Sequence, residues 1–301
     1  MLPEKIALLS ISILIVIIGF LLNGFIVTVN LFKCIKFQTL ETINVLITGL
    51  GLVRFILLSI HMKHICFLMF GWSLFQIDEY LGTLIVCVIF CSFWWGSVLC
   101  VFYCVKISNY SNRLFMRLKM NISKMVTWLL LISLVISFLF SLPYSWSVTC
   151  IHVVNGTNNG NKVKKVNIVR LFIIIFAGSI IPFMVFCVSV YLIIVSLLRH
   201  TTKMSSRDSG FSIAQRDIHL CVIWNMISFL LFYALYFASF VLVILTMNFE
   251  NPIFTLVCYI FIAAYPSLHS ISLIFSNREL KRAFFIVFSF NWLGNIRQET
   301  S

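Results

Sequence analysis

Arg54 stands in the run Gly49-Leu50-Gly51-Leu52-Val53-Arg54-Phe55-Ile56-Leu57-Leu58, with apolar residues on both sides. An arginine in such surroundings can clasp polar groups of neighbouring elements, pair with a buried acid or line an ion path. His269, in Tyr265-Pro266-Ser267-Leu268-His269-Ser270, is a second ionisable side chain in an apolar context. A lone histidine of this kind is more often a packed hydrogen-bonder than a ligand contact or proton relay. The pairs Cys87/Cys91 and Cys100/Cys104 have the i, i+4 spacing that puts both thiols on one helix face. Neither pair has a histidine or an acid nearby, so the spacing suits small packing residues better than a metal. The sequence contains no H-E-x-x-H, P-loop or G-x-G-x-x-G signature, and no nucleophile stands beside a candidate base. Nothing supports an enzyme, and no cofactor or metal is called for.

The elements that position these residues follow from composition. The chain has 301 residues, of which 61% are hydrophobic and only 10% charged. A soluble domain runs nearer half apolar and about a quarter charged. Too few polar residues remain to cover a soluble surface, so the solvent is lipid. A bilayer span needs about 20 mostly apolar residues. Seven runs qualify, at about 6–31, 43–60, 81–105, 125–148, 171–198, 220–247 and 252–275. They predict an all-α seven-helix membrane bundle, with residues 1–301 as a single domain. Internal repeats and inverted halves are absent from the sequence.

The net charge of +13 would suggest nucleic acid in a soluble protein. Here its positions give another reading. One set of loops carries Lys33, Lys36, Lys106, Arg113, Arg117, Lys119, Lys124, Arg199, Lys203, Arg207, Arg216, Arg278, Lys281, Arg282 and Arg297. The alternate set carries Lys5, Lys63, Lys162, Lys164, Lys165 and Arg170. The positive-inside rule puts the first set in the cytoplasm, the N-terminus outside and the C-terminus inside. No nucleic acid is required. Three sequons occur, and this topology leaves only Asn155 within reach of glycosylation, with Asn109 and Asn121 inside. Cys66 and Cys150 fall in outer loops, where pairing stays open.

Arg54 lies about 11 residues into its span, roughly 17 Å along the axis and so near the midplane. None of the nine acids lies well inside a span. Its partners must then be neutral acceptors, such as Asn23 or the carbonyls and hydroxyls of span seven. Pro143, Pro182 and Pro266 interrupt spans four, five and seven, where each can kink or hinge its helix. Asn251-Pro252 reads as a helix start. The histidines at 61, 64, 152, 200 and 219 fall in or near loops.

These residues also carry a family likeness. Asn23-Gly24-Phe25-Ile26, the run Ile47 to Arg54, Phe102-Tyr103-Cys104-Val105-Lys106-Ile107-Ser108-Asn109-Tyr110-Ser111, Ile181-Pro182-Phe183, Ser228-Phe229-Leu230 and Tyr265 to Ser270 recur along nearly the whole chain. With Leu273-Ile274 and Asn277-Arg278-Glu279-Leu280-Lys281, the sequence resembles the bitter taste receptors, the type 2 taste receptor family of G-protein-coupled receptors. The exit of span three and the span-seven run are the most specific parts. A D/E-R-Y motif and an NPxxY motif are both missing, as in that family. The vomeronasal type-1 pheromone receptors are the nearest rival, and a transporter or channel is the rival from another class.

The resemblance implies a plasma-membrane, multi-pass receptor that binds small, mostly apolar bitter compounds in the outer half of the bundle and activates a gustducin- or Gi-like G protein. It places the ligand among Ile85, Ile89, Phe93, Phe176, Tyr236, Phe240 and Tyr259. Asn23, Arg54, Pro182, Pro266, His269 and Ser270 are expected to serve activation or inter-helix contact, with Arg54 either a fixed clasp between helices or one that rearranges on activation. Lys106, Arg113, Lys119, His200 and Lys203 would face the G protein, and oligomerisation is left open. Aligned on the shared motifs, Ile85 and Ile89 replace a tryptophan and an asparagine common in the family, and Tyr259 replaces an acid found in some members. Arg207-Asp208-Ser209-Gly210 only approximates the family's Arg-Asp-Pro-Ser. The expected pocket is therefore almost free of ionic groups.

Overall fold

A computed structural model describes residues 3–37, 41–70, 79–108, 113–153, 161–205, 213–246 and 252–287. The expected runs fold as helices because, in lipid, backbone N–H and C=O groups must pair within their own segment. In chain order these are α1 (Pro3–Phe37), α2 (Thr42–Phe70), α3 (Glu79–Ile107), α4 (Arg113–Ser141), a single turn α5 (Tyr144–Ser147), the strands β1 (Val148–Val153) and β2 (Asn161–Val166), α6 (Ile168–Ser205), α7 (Ile213–Thr246) and α8 (Pro252–Ser276). A further helix, α9, covers residues 278–287. Seven of them are long and apolar enough to cross a bilayer, and the protein is an all-α, seven-helix membrane bundle.

Several helices outrun the apolar runs. Charged and polar residues end a hydropathy signal without ending a helix, since Lys, Arg and Gln are good helix formers. Thus α4 begins at Arg113, α6 reaches Ser205 and α7 begins at Ile213. The extension of α2 has the largest consequence. His61, Lys63 and His64, read from sequence as loop residues, lie on its last turns. Pro143 also behaves differently from expectation. It ends α4 at Ser141 and turns the chain into α5, whereas Pro182 and Pro266 sit inside continuous helices.

The stretch after α5 forms an antiparallel hairpin with Val148 opposite Val166 and Val153 opposite Asn161. Asn167 closes it by donating its backbone N–H to the Ser147 carbonyl at 2.7 Å. Its side-chain Oδ1 accepts from the Arg170 N–H at 3.1 Å, capping α6. At the opposite end of the bundle Asn277 does the same for α9, accepting from the N–H groups of Glu279 and Leu280 at 3.0 and 3.3 Å. Lys33 of α1 forms an ion pair with Glu279, and Phe284 packs edge-on against Phe25. These contacts tie α9 back across the bundle.

The bundle centres on α3. In its spanning stretch, 61% is buried, against 28% for α1 and for α4. One cluster around Leu50, Leu99, Phe102, Ile193 and Leu273 fills the half nearer α9. A second, around Phe90, Phe93, Tyr233, Tyr236 and Tyr265, fills the half nearer the hairpin. A third seals α1 against α2 and α8 through Val16, Leu58 and Ala263.

Close approach of α6 to α3 depends on Gly178. A Cβ there would collide with the ring of Phe90, which has no exposed surface in which to retreat. Overpacking a filled core costs about 1–3 kcal/mol. Gly178→Val is expected to lower the thermal stability of the purified protein by several degrees, read by a melting assay in detergent. An unchanged melting point would mean that the two helices separate freely.

Candidate functional site

A cavity of about 280 Å³ opens at the hairpin end of the bundle. Leu57, Ile60, His61, Lys63 and His64 of α2 form one wall, and Leu81, Gly82, Ile85, Val86 and Ile89 of α3 form the next. Tyr144 of α5, Leu171 of α6, Phe240 and Val243 of α7, and Tyr259 and Ile262 of α8 close the ring. Apolar side chains dominate the lining, with a few polar groups, the usual make-up of a small-molecule site. None of the described residues lining it is an acid.

The cavity has its size partly because Gly82 lets Tyr144 lie flat against α3. A Cβ at Gly82 would run into the Tyr144 ring. His64 meets Tyr259 across the cavity, with ring centroids 4.4 Å apart and tilted by 47°. The His61 Nε2 atom is buried and makes no hydrogen bond among the described residues.

Four of the seven residues that the resemblance assigns to the ligand line this cavity: Ile85, Ile89, Phe240 and Tyr259. Phe93 and Tyr236 sit beneath it, both almost fully buried. Phe176 lies off to one side. It is 44% exposed and stacks on Phe172, with Phe237 at 6.4 Å. The wall supplied by α2 is missing from the sequence reading. Leu57, Ile60, His61 and His64 have the i, i+3, i+4, i+7 spacing of one helix face. That signal is readable, but the polar trio at its end looks like a loop.

Below the cavity an aromatic column leads to the middle of the bundle. Phe240 stacks on Tyr236 at 6.2 Å and 16°. Tyr236 approaches Phe93 at 5.2 Å and Tyr265 at 5.0 Å. Tyr265 in turn lies against the Arg54 guanidinium, whose central carbon is 5.7 Å from the ring centroid. Tyr265 also meets His269 at 5.8 Å and Tyr233 at 6.5 Å. His269 stacks face-on with Phe229 of α7 at 3.7 Å and 15°.

The polar layer at this level differs from the expected clasp. Asn23 is committed elsewhere. Its Nδ2 donates to the Gly19 carbonyl at 2.8 Å, and its Oδ1 lies 2.8 Å from the Ser270 hydroxyl. That hydroxyl is also 2.7 Å from the Pro266 carbonyl, so its one proton serves one acceptor at a time. Ser267 donates to the Ile15 carbonyl at 3.1 Å. These contacts join α1 to α8 and leave Arg54 out. All three of its side-chain nitrogens are buried and make no hydrogen bond among the described residues. The cause is local. Tyr265, next to Pro266, lies beside the guanidinium, and an aromatic ring attracts such a cation.

Pro182 contributes to the same level from α6. Its carbonyl lies 2.8 Å from the Ser97 hydroxyl of α3, which is also within 3.0 Å of the Phe93 carbonyl. At the α9 end, Lys106 is exposed with its Nζ 5.5 Å from the Phe102 ring. Arg113 is exposed on the first turn of α4, and Lys119 follows on the same helix. His200 and Lys203 fall on the helical end of α6, but their side chains lie outside the described residues. Asn155, Asn109 and the Cys150 side chain lie outside them as well.

Comparison with known proteins gives this arrangement its context. The family described as Taste receptor protein (TAS2R) matches residues 1–292. Taste receptor type 2 member 39 of Papio hamadryas is 30% identical over 280 residues, covering 88% of this chain and 81% of that protein. Taste receptor type 2 member 2 of Homo sapiens is 30% identical over 279 residues, covering 88% and 90%. Taste receptor type 2 member 40 of Gallus gallus is 29% identical over 275 residues, covering 88% of each. A match across almost the whole length, on a seven-helix bundle with a cavity at one end, means that the chain belongs to the type 2 taste receptor family, the bitter taste receptors.

Proposed function

We propose that this protein is a plasma-membrane receptor that binds small, mostly apolar bitter compounds in the cavity at the hairpin end and activates a gustducin- or Gi-like G protein at the α9 end. The carrying observation is the cavity itself, with its apolar walls of Ile85, Val86, Ile89, Leu171, Phe240 and Ile262. The distribution of Lys and Arg supports an outward hairpin end and a cytoplasmic α9 end. Asn155 would then be accessible for glycosylation. The basic ends of α3, α4 and α6, with Lys106, Arg113, Lys119, His200 and Lys203, would meet the G protein and anionic lipid.

An agonist can shift a receptor only by binding the active bundle better than the resting one. The cavity's lower wall continues into the column Phe240–Tyr236–Tyr265–Arg54. A ligand that moves Phe240 therefore bears on the polar layer. Pro182 and Pro266 each remove one helical hydrogen bond beside that layer, which makes them the places where α6 and α8 can bend.

The test is calcium release in cells expressing the full chain with a chimeric G protein, challenged with a panel of bitter compounds. We expect concentration-dependent responses to some of them. Silence across the panel from a receptor shown to be at the cell surface would oppose the reading. The chemistry of the agonists gives a second check. Polar groups at the cavity come from His61, Lys63, His64, Tyr144 and Tyr259, with no carboxylate among the described lining residues. Pairs of agonists that differ only by a positive charge should show potencies within about threefold or favour the neutral member, since the cation has only ring faces to meet. A tenfold preference for the cation would point to an acid in the site.

A further inference from the structure

A second cavity, of about 290 Å³, lies between α1 and α2 near the α9 end, away from the ligand cavity. Asn30, Asn44 and Thr48 give it a polar floor, and Leu31, Val45 and Leu52 an apolar rim. The rim leucines are each 49% exposed on the outer surface of the bundle, so the cavity faces the lipid. Asn30 is buried, and neither its amide nitrogen nor its oxygen finds a hydrogen-bond partner among the described residues. The Asn44 side-chain oxygen is buried and unpartnered in the same way. Thr48 is turned to its own helix, donating to the Asn44 carbonyl at 2.6 Å.

An amide buried beside hydrocarbon with both ends unpaired is costly. A partner that brings a donor and an acceptor together on one small group would satisfy it, and the lipid-facing apolar rim suits one attached to an apolar body. We propose that this crevice is a binding site for a membrane sterol, whose single hydroxyl pairs with Asn30 and Asn44 and whose ring face lies against Leu31, Val45 and Leu52. A hydroxyl both donates and accepts, which matches an amide N–H beside two amide oxygens. Ester carbonyls of ordinary phospholipids only accept. A rigid fused-ring body also loses less conformational freedom on binding than an acyl chain does.

Depth agrees with this assignment. Asn44 is two residues from the start of α2, and Asn30 is seven residues from the end of α1, roughly 3 and 10 Å along the helices. The polar floor thus lies near the membrane interface, the level at which a sterol hydroxyl rests. The cavity takes the hydroxyl-bearing ring end, and the rest of the body follows the α1–α2 surface. The site does not depend on the identity of the taste ligand.

The test uses the full-length protein in nanodiscs with a photoreactive cholesterol analogue. Labelling is expected to map to peptides spanning residues 30–52. Asn30→Leu and Leu52→Trp, the first removing the amide and the second narrowing the mouth, should each lower that labelling about tenfold, the scale of a lost buried hydrogen bond or a blocked contact. On the wild-type protein, unlabelled cholesterol should compete about tenfold better than its 3α-epimer, and a diacylglycerol should compete poorly. The epimer and diacylglycerol arms need no variant, so poor folding of Asn30→Leu leaves the test intact. Wild-type labelling in Leu52→Trp, labelling mapped to other helices, or equal competition by diacylglycerol would each overturn the assignment.

Discussion

Arg54→Met should leave the receptor at the cell surface within about twofold of wild type and reduce agonist-evoked signalling at least tenfold. The two halves of this expectation come from one observation. Arg54 is fully buried, and its nitrogens make no hydrogen bond among the described residues. A desolvated cation whose contact among the described residues is with the Tyr265 side chain adds little to stability. Replacing buried charge with apolar side chains of similar volume is often neutral or stabilising. What is lost is the handle that another state of the bundle can grip. Acceptors lie at the same level, in the Ser270 hydroxyl and the Pro266 carbonyl on α8. A rotation of α8 about Pro266 that offers one of them to Arg54 would favour the active state by the 1–3 kcal/mol typical of allosteric coupling. Arg54→Lys should not restore signalling, because an ammonium lacks the planar fork that stacks on a ring and bonds sideways at once. Surface labelling alongside a calcium reporter separates the outcomes. If Arg54→Met instead fails to reach the surface while signalling per receptor is normal, Arg54 is a fixed structural clasp.

Ile85→Trp should remove the response to every agonist or weaken potency about 100-fold, with surface expression kept. Ile85 lines the hairpin-end cavity and is only half-buried, so an indole can grow into the empty volume without displacing the core. A loss of about 2.7 kcal/mol corresponds to that factor. Phe176→Ala is the matched control. That side chain is exposed beside Phe172 and does not line the cavity, so potency should change less than threefold. The reverse pattern, a sensitive Phe176 and a tolerant Ile85, would put the ligand between α6 and α7. Dose–response curves normalised to surface expression decide between them.

The fold was legible from hydropathy because lipid enforces helices wherever an apolar run is long enough. Helix ends were less so. His61-Met62-Lys63-His64 breaks the apolar signal, yet the α2 backbone continues through it to Phe70. That extension supplies the wall of the cavity that periodicity in the apolar core could not reveal. Pro143 illustrates the opposite difficulty. A proline within an apolar run can kink a helix or end it, and here the chain leaves α4 and makes the single turn α5. The depth of Phe93 and Tyr236 could not be read from sequence. They belong to the bundle's aromatic interior, one layer below the cavity. The neighbours of Arg54 were unreadable for a geometric reason. Sequence places Asn23, Ser270 and Tyr265 at similar depth, but rotation about each helix axis decides whether an oxygen or a ring meets the guanidinium. All-round apolar helices carry little information about that rotation.

A small apolar compound in the hairpin-end cavity should drive a G protein at the α9 end. Nucleotide exchange by a purified Gi-type heterotrimer, with the full-length receptor in nanodiscs and a neutral agonist from the bitter panel, measures this directly. Agonist-stimulated exchange is predicted for the wild-type receptor and is predicted to vanish in Ile85→Trp and in Arg54→Met, with agonist binding lost in the first and retained in the second. Equal stimulation through the Ile85→Trp receptor would mean that the agonist acts outside the hairpin-end cavity.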